Sequence, residues 1–194
     1  MEIDTKQTIS LTTSSPEQTQ AVGRLLGAHA RAGDVFLLSG DLGAGKTCLT
    51  QGILWGLGGD EYARSPTFVL ICEYAARLTL YHMDLYRLDS IEEVIDLGLD
   101  DYFLGDGVCV VEWAEKGSDA FIGESLTVRI ESTGGEIRTL TFKADSERYH
   151  AIMNDLEKQF SGASSLEATT PSNDAPGNDA PGNGGHCNSA NGEA

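Results

Sequence analysis

Hydrophobic and polar positions along the chain change period several times, and each change marks an element. Residues 8–13 alternate weakly, as a half-buried strand does. Ser15-Pro16-Glu17-Gln18 then reads as a helix start, with Ser15 as N-cap, Pro16 at the first helical position and Gln18 closing a capping box. Val22, Leu25, Leu26 and Ala30 recur on one helical face, and Gly33 is expected to end the helix. Val35-Phe36-Leu37-Leu38 is a short apolar run suited to a buried strand. Residues 47–57 are helix-like, with Gly56, Gly58 and Gly59 as the stop. Two β-rich runs, 67–73 and 78–84, predict a hairpin. Residues 91–97 suit a helix and 100–104 a further short turn. Another buried strand covers 108–111 and ends at Glu112. Residues 125–132 and 136–143 alternate around Gly134-Gly135, a second hairpin, and Ser146 is placed to cap a last helix running to about Phe160.

Beyond Phe160 the pattern stops. Ala-Pro-Gly-Asn occurs twice, at 175–178 and 180–183, within a stretch rich in Gly, Asn, Ser and Ala and without Lys or Arg. Such a composition cannot bury enough apolar surface to offset the entropy of ordering. The chain therefore divides into one domain, residues 1–161, and a disordered low-complexity tail, 162–194. The adjacent His186 and Cys187 in that tail are too few to argue for a metal.

The first residues carry no basic patch followed by an apolar stretch, and no apolar run approaches the roughly 20 residues that span a bilayer. A cytoplasmic protein without membrane contact is expected. Cys48, Cys72, Cys109 and Cys187 are scattered and form no C-x-x-C pair, so reduced thiols are expected as well. Net charge changes the picture more. It is −17, and seven acids lie between residues 89 and 106. Gripping a nucleic-acid backbone requires clustered cations, so direct binding of RNA is excluded unless a partner supplies them. A solvated acidic face is the ordinary explanation of such a run.

The chemistry concentrates in residues 40–47, Gly-Asp-Leu-Gly-Ala-Gly-Lys-Thr, a full match to the phosphate-binding loop G-x-x-x-x-G-K-[ST]. Gly40, Gly43 and Gly45 let the backbone form a concave nest around an anion, with Asp41, Leu42 and Ala44 completing it. The following helix N-terminus points its N–H groups at the phosphates. Lys46 can reach the β- and γ-phosphate oxygens, and the Thr47 hydroxyl can join a Mg²⁺ shell. Strand, motif and helix follow in the order that a P-loop NTPase-like α/β domain requires.

Hydrolysis needs a carboxylate near the metal and a group that senses the γ-phosphate. Glu112, at the end of an apolar strand, is the first candidate. Asp84 is the second, in Leu80-Tyr81-His82-Met83-Asp84-Leu85-Tyr86-Arg87, where an acid, a histidine and an arginine crowd one strand exit. Thr67, in Ser65-Pro66-Thr67-Phe68, could add a switch hydroxyl to the metal shell. A guanine-reading N-K-x-D segment is absent, which leaves ATP as the nucleotide. A small-molecule kinase on the same loop is the alternative. It needs an arginine clamp, for which Arg64, Arg77 and Arg87 are the candidates. A binding switch without meaningful hydrolysis differs from both only in rate.

The phosphate loop, Ser-Pro-Thr-Phe, His-Met-Asp-Leu-Tyr-Arg, Asp-Leu-Gly-Leu-Asp-Asp-Tyr-Phe and Val-Glu-Trp-Ala-Glu occur in that order. Together they resemble the TsaE (YjeE) family of bacterial P-loop ATPases, over about residues 8 to 145. The resemblance implies a mixed β-sheet with helices around it and a role in forming threonylcarbamoyladenosine at position 37 of transfer RNA. It also implies work with TsaB and TsaD, in which ATP hydrolysis permits repeated turnover, with transfer RNA reached only through that complex. Lys46 and Thr47 would then bind phosphate and Mg²⁺, Thr67 would match the switch position, and Asp84 the essential aspartate. Glu112 and Trp113 would form the Glu-Trp pair. Cys48 stands where a second Thr is common, and Ala114 replaces a frequent Pro.

Overall fold

The computed structural model describes residues 7–117, 121, 123–160 and 186–189. Its first strand, β1 (Gln7–Thr13), leads into α1 (Pro16–His29), which starts where the sequence places it. Ser15 is extended, and its Oγ accepts from the Gln18 N–H at 3.3 Å. The Gln18 carboxamide reaches one residue further back than a capping box needs, accepting from the Ser14 N–H at 2.8 Å. The helix ends before Gly33, because Ala30 already has extended backbone. Gly33 instead turns the chain into β2 (Val35–Ser39).

The remaining strands are β3 (Leu70–Tyr74), β4 (Leu80–Asp84), β5 (Val108–Glu112), β6 (Leu126–Gly134), β7 (Ile137–Ala144) and β8 (His186–Ser189). They form one mixed sheet in the order β1-β7-β6-β2-β5-β4-β3-β8. Its centre is parallel: β2 pairs with β5 and β6, and β5 with β4. Both predicted hairpins form, β3–β4 and β6–β7, each antiparallel. The run 67–73 gives up its first residues to a turn, in which the Pro66 carbonyl accepts from the Val69 and Leu70 N–H groups at 3.0 and 2.7 Å.

Alternation along the buried strands sends side chains to two cores. Phe36, Leu38, Leu80 and Val110 face α1, α2 (Lys46–Gly56) and α5 (Glu147–Phe160). Val35, Leu37, Met83 and Val111 face α3 (Ile91–Asp96) and α4 (Asp100–Phe103), through Val94, Leu99 and Phe103. Ser146 precedes α5 and its carbonyl accepts from the Tyr149 N–H, but its hydroxyl has no hydrogen-bond partner among the described residues. The cap expected of that hydroxyl is not made. Of the tail expected over 162–194, only His186–Ser189 is described, as an edge strand that the composition did not foretell; the remainder lies outside the described residues. Cys48 and Cys109 are free, whereas Cys72 is disulfide-bonded and sits opposite Cys187 in the β3–β8 register. The expectation of reduced thiols throughout fails at Cys72.

Two pairs of glycines decide where the helix after the phosphate loop lies. A Cβ on Gly23 or Gly27 of α1 would meet the carbonyl oxygens of Leu49 and Ile53 at 2.4 and 2.1 Å. A Cβ on Gly52 or Gly56 of α2 would meet those of Gln20 and Arg24, each at 2.2 Å. Gly56 thus serves close helix contact rather than the helix stop expected of it, which falls to Leu57 and Gly58 (φ +87). Rigid backbone cannot yield as a side chain would. Gly27→Ala should therefore lower the unfolding free energy by about 1–3 kcal/mol or more, read as a denaturant midpoint shift at constant slope. A change under about 0.5 kcal/mol, as at an ordinary surface position, would show that the seam has slack.

Candidate nucleotide-binding site

Parallel pairing of β2, β5 and β4 places their carboxyl ends on one edge of the sheet. The loop after β2 is residues 40–45, β5 ends at Glu112, and β4 ends at Asp84, directly opposite Glu112 in the ladder. Ligands of open α/β sheets bind at such an edge. Here it forms a cavity of about 280 Å³.

Gly40, Gly43 and Gly45 all have positive φ, and at Gly40 a Cβ would lie 2.2 Å from the Ile130 carbonyl oxygen. Gly45 is the N-cap of α2 at φ 114, a conformation that turns the first helical N–H groups toward the cavity. Leu42, Gly43, Gly45, Lys46 and Thr47 line it. Ala44 does not, since it is buried and its N–H bonds the Asp41 carbonyl at 3.1 Å. Its own carbonyl accepts from Arg138 Nε at 2.9 Å, which braces the loop from behind. Gly40 and Asp41 contribute carbonyls that accept from Lys46 Nζ at 2.6 and 3.0 Å. An ammonium has three protons, so this geometry leaves one for a further acceptor. Burial pushes the Lys46 pKa below its ordinary value, while Glu112, Glu115, Asp84 and Asp41 push back by attraction.

Thr47 Oγ1 donates to the Glu112 carboxylate, 2.8 Å from Oε1 and 3.1 Å from Oε2. Asp84 is 2 % exposed and its two oxygens divide their work. Oδ1 accepts from the Tyr86 N–H at 2.9 Å, and Oδ2 accepts from Ser65 Oγ and from Thr67 Oγ1, the latter at 2.9 Å. Thr67, Asp84 and Glu112 therefore reach the cavity together, with Ser65 beside them. Among the described residues no three His, Cys, Asp or Glu side chains form a metal cage. The donors are hydroxyls and two carboxylates, hard oxygen ligands that suit Mg²⁺ when phosphate and water complete the shell.

Trp113 follows β5 in the left-handed region, at φ 59 and ψ 36, which is uncommon for a bulky residue. This bend brings its ring over Lys46, with Nζ 3.8 Å from the centroid, and against Tyr86 at 4.9 Å between centroids. Lys116 Nζ holds the far side of that wall, donating to the Tyr86 and Leu88 carbonyls at 2.7 and 2.8 Å. The sequence assigns no role to Ser65 or Tyr86, and His82 stands out there only as one of the residues crowding the exit of β4. The arginines lie elsewhere. Arg77 donates to the Gly27 and Ala30 carbonyls at the end of α1, Arg87 stacks on Phe68, and neither they nor Arg64 line the cavity.

Comparison with known proteins shows which family the chain resembles. Residues 13–140 match the family described as "TsaE: Threonylcarbamoyl adenosine biosynthesis protein TsaE". The chain is 46% identical over 147 residues to the tRNA threonylcarbamoyladenosine biosynthesis protein TsaE of Bacillus subtilis, covering 75% of this chain and 92% of that one. The protein of the same name from Treponema pallidum is 40% identical over 127 residues, covering 66% and 94%. The crystal structure of Bacillus subtilis YdiB superposes with a TM-score of 0.69 at 38% identity, over 82% of this chain and 99% of that one.

Proposed function

The chain belongs to the TsaE family, and on that premise we propose that it is the ATP-hydrolysing subunit of tRNA threonylcarbamoyladenosine biosynthesis, acting on a TsaB–TsaD complex so that it turns over repeatedly. The observation that carries the reading is the convergence of Lys46, Thr47, Asp84 and Glu112 at the carboxyl edge of three parallel strands. The glycine-lined loop and the first turn of α2 bind the phosphates through backbone N–H groups, and Lys46 neutralises charge on the transferring phosphoryl group. Thr47, Glu112 and Asp84 would hold Mg²⁺, which would supply further charge neutralisation on the phosphates. Asp84 holds Ser65 and Thr67 in place and lines the cavity, where its carboxylate would join the metal shell or orient the attacking water. Residues 1–161 form the working domain.

The place of action is the cytoplasm; among the described residues no helix is long and apolar enough to cross a membrane. Residues 1–160 carry 26 acids against 13 bases, so transfer RNA is contacted by the partners and not by this chain. Acids at 89–106, on and around α3 and α4, are available to steer a basic partner surface. Phosphate release, measured with and without a TsaB–TsaD complex, tests the reading and should rise when the complex is present. In a salt series, association with that complex should be nucleotide-dependent and weaken as salt rises, while transfer RNA alone binds weakly throughout. Tight, salt-sensitive RNA binding by the isolated chain, with no affinity for the complex, would overturn it.

A further inference from the structure

His82 lies on β4 with no exposed surface. Strand alternation puts it on the same face as Asp84, two residues on. Its Nε2 is 2.8 Å from Glu112 Oε1, the same oxygen that accepts from Thr47 Oγ1 at 2.8 Å. An ionised carboxylate only accepts, so the ring must carry its proton on Nε2. Glu112 is thereby held from two directions, by a hydroxyl from the phosphate-loop helix and by an imidazole from the neighbouring strand.

The arrangement has a cost that packing alone does not explain. The other ring nitrogen, Nδ1, is buried and has no hydrogen-bond partner among the described residues. A buried polar atom left unpaired is unfavourable, and an apolar side chain of similar size would avoid the penalty. Leu80, two residues earlier on the same face, is such a side chain and is fully buried. The imidazole also lies beside the Tyr74 ring, 6.3 Å between centroids, and the Tyr74 hydroxyl accepts from the Arg64 N–H at 3.0 Å. Tyr74, His82, Glu112 and Thr47 thus form one column from the start of the Ser65–Thr67 segment to the phosphate-loop helix.

We infer that His82 is a positioning residue for phosphoryl chemistry: its Nε2–H fixes Glu112 Oε1 and so aims the carboxylate at Thr47 and the metal side of the cavity. This rests on the hydrolysis reading above. A histidine that only filled space would not depend on where its proton sits or on a donor at Nε2.

Two measurements test it. Long-range ¹⁵N–¹H correlation spectra of the wild-type protein should show His82 protonated at Nε2; a proton on Nδ1 alone overturns the inference, whatever the protein hydrolyses. Hydrolysis should then be compared in H82L and H82Q, since a glutamine amide can place an N–H near the Nε2 position. H82L should lose about 10- to 100-fold in kcat, the scale of losing an outer-sphere partner, and should require more Mg²⁺ for half-maximal rate. Its KM for ATP should stay within about twofold, because the lost interaction does not bind nucleotide directly. H82Q should recover most of the rate. Wild-type rate in H82L, or equal losses in both variants with normal circular dichroism, overturns the inference. If H82L does not fold, the spectra and the H82Q rate decide. If the wild-type protein hydrolyses no ATP with or without partners, the functional reading fails, and the proton position still judges the contact to Glu112.

Discussion

Lys46→Ala should lower nucleotide hydrolysis by about 10³-fold or more, the scale on which preorganised charge stabilises a transition state, while far-UV circular dichroism stays unchanged. Lys46 is the cation that lines the cavity from the phosphate loop, and the acids around it, Asp41, Asp84, Glu112 and Glu115, leave an incoming phosphate little else to meet. It is 5% exposed and donates to the Gly40 and Asp41 carbonyls, so its ammonium is held in place before reaction and costs little further ordering. The Trp113 ring beneath it adds a cation–π contact while excluding water from one side. Alanine removes the charge and leaves both carbonyls without that donor. The helix seam with α1 is untouched, because Lys46 is not among its glycines, and the domain should fold. Hydrolysis near the wild-type rate, in protein with a normal spectrum, would remove the cavity from consideration as the reacting site.

What could be read in the sequence follows the range of the interactions that decide it. The phosphate loop is local: eight consecutive residues set their own backbone, so its glycines and Lys46 are visible without a structure. The strands are nearly as local, since an apolar run such as 108–111 has few other places to go. Helix ends are less so, and α1 stops at His29 on backbone geometry that Gly33 did not signal. The meeting of Asp84 and Glu112 depends on parallel pairing between strands 28 residues apart, which no local pattern specifies. His82 is the sharpest case. Its position two residues before Asp84 fixes the shared face by simple alternation. That Glu112 stands within reach on that face is settled by which strand lies next to it. Trp113 is similar, because nothing in Glu-Trp-Ala announces a left-handed tryptophan. The edge strand β8 lies furthest from local reach, as it pairs with β3 across more than 100 residues of chain and sits in a tail whose composition opposes order.

Asp84→Asn should cost about 10²- to 10³-fold in kcat, again the scale of one preorganised electrostatic group, with nucleotide binding retained. The substitution keeps shape and removes charge. Asp84 Oδ1 could still be matched by the amide oxygen, which would continue to accept from the Tyr86 N–H. Oδ2 would become an NH₂ group facing the Ser65 and Thr67 hydroxyls, which now donate to it and would have to turn their protons elsewhere. Two explanations of a loss are then open, and they separate cleanly. If Asp84 acts only by bracing the Ser65–Thr67 segment, the double variant Ser65→Ala, Thr67→Ala removes the same two hydrogen bonds and should reproduce the full loss. If the carboxylate itself acts on the metal shell or the attacking water, the double variant should lose far less, on the order of 10-fold, because the acting group and its charge remain. The second outcome is expected, because a carboxylate 2 % exposed at the mouth of an anion-binding loop is too costly to keep charged for bracing that a neutral asparagine could supply. Equal losses in the two proteins would reduce Asp84 to a structural anchor, and leave Glu112 as the sole carboxylate of the site.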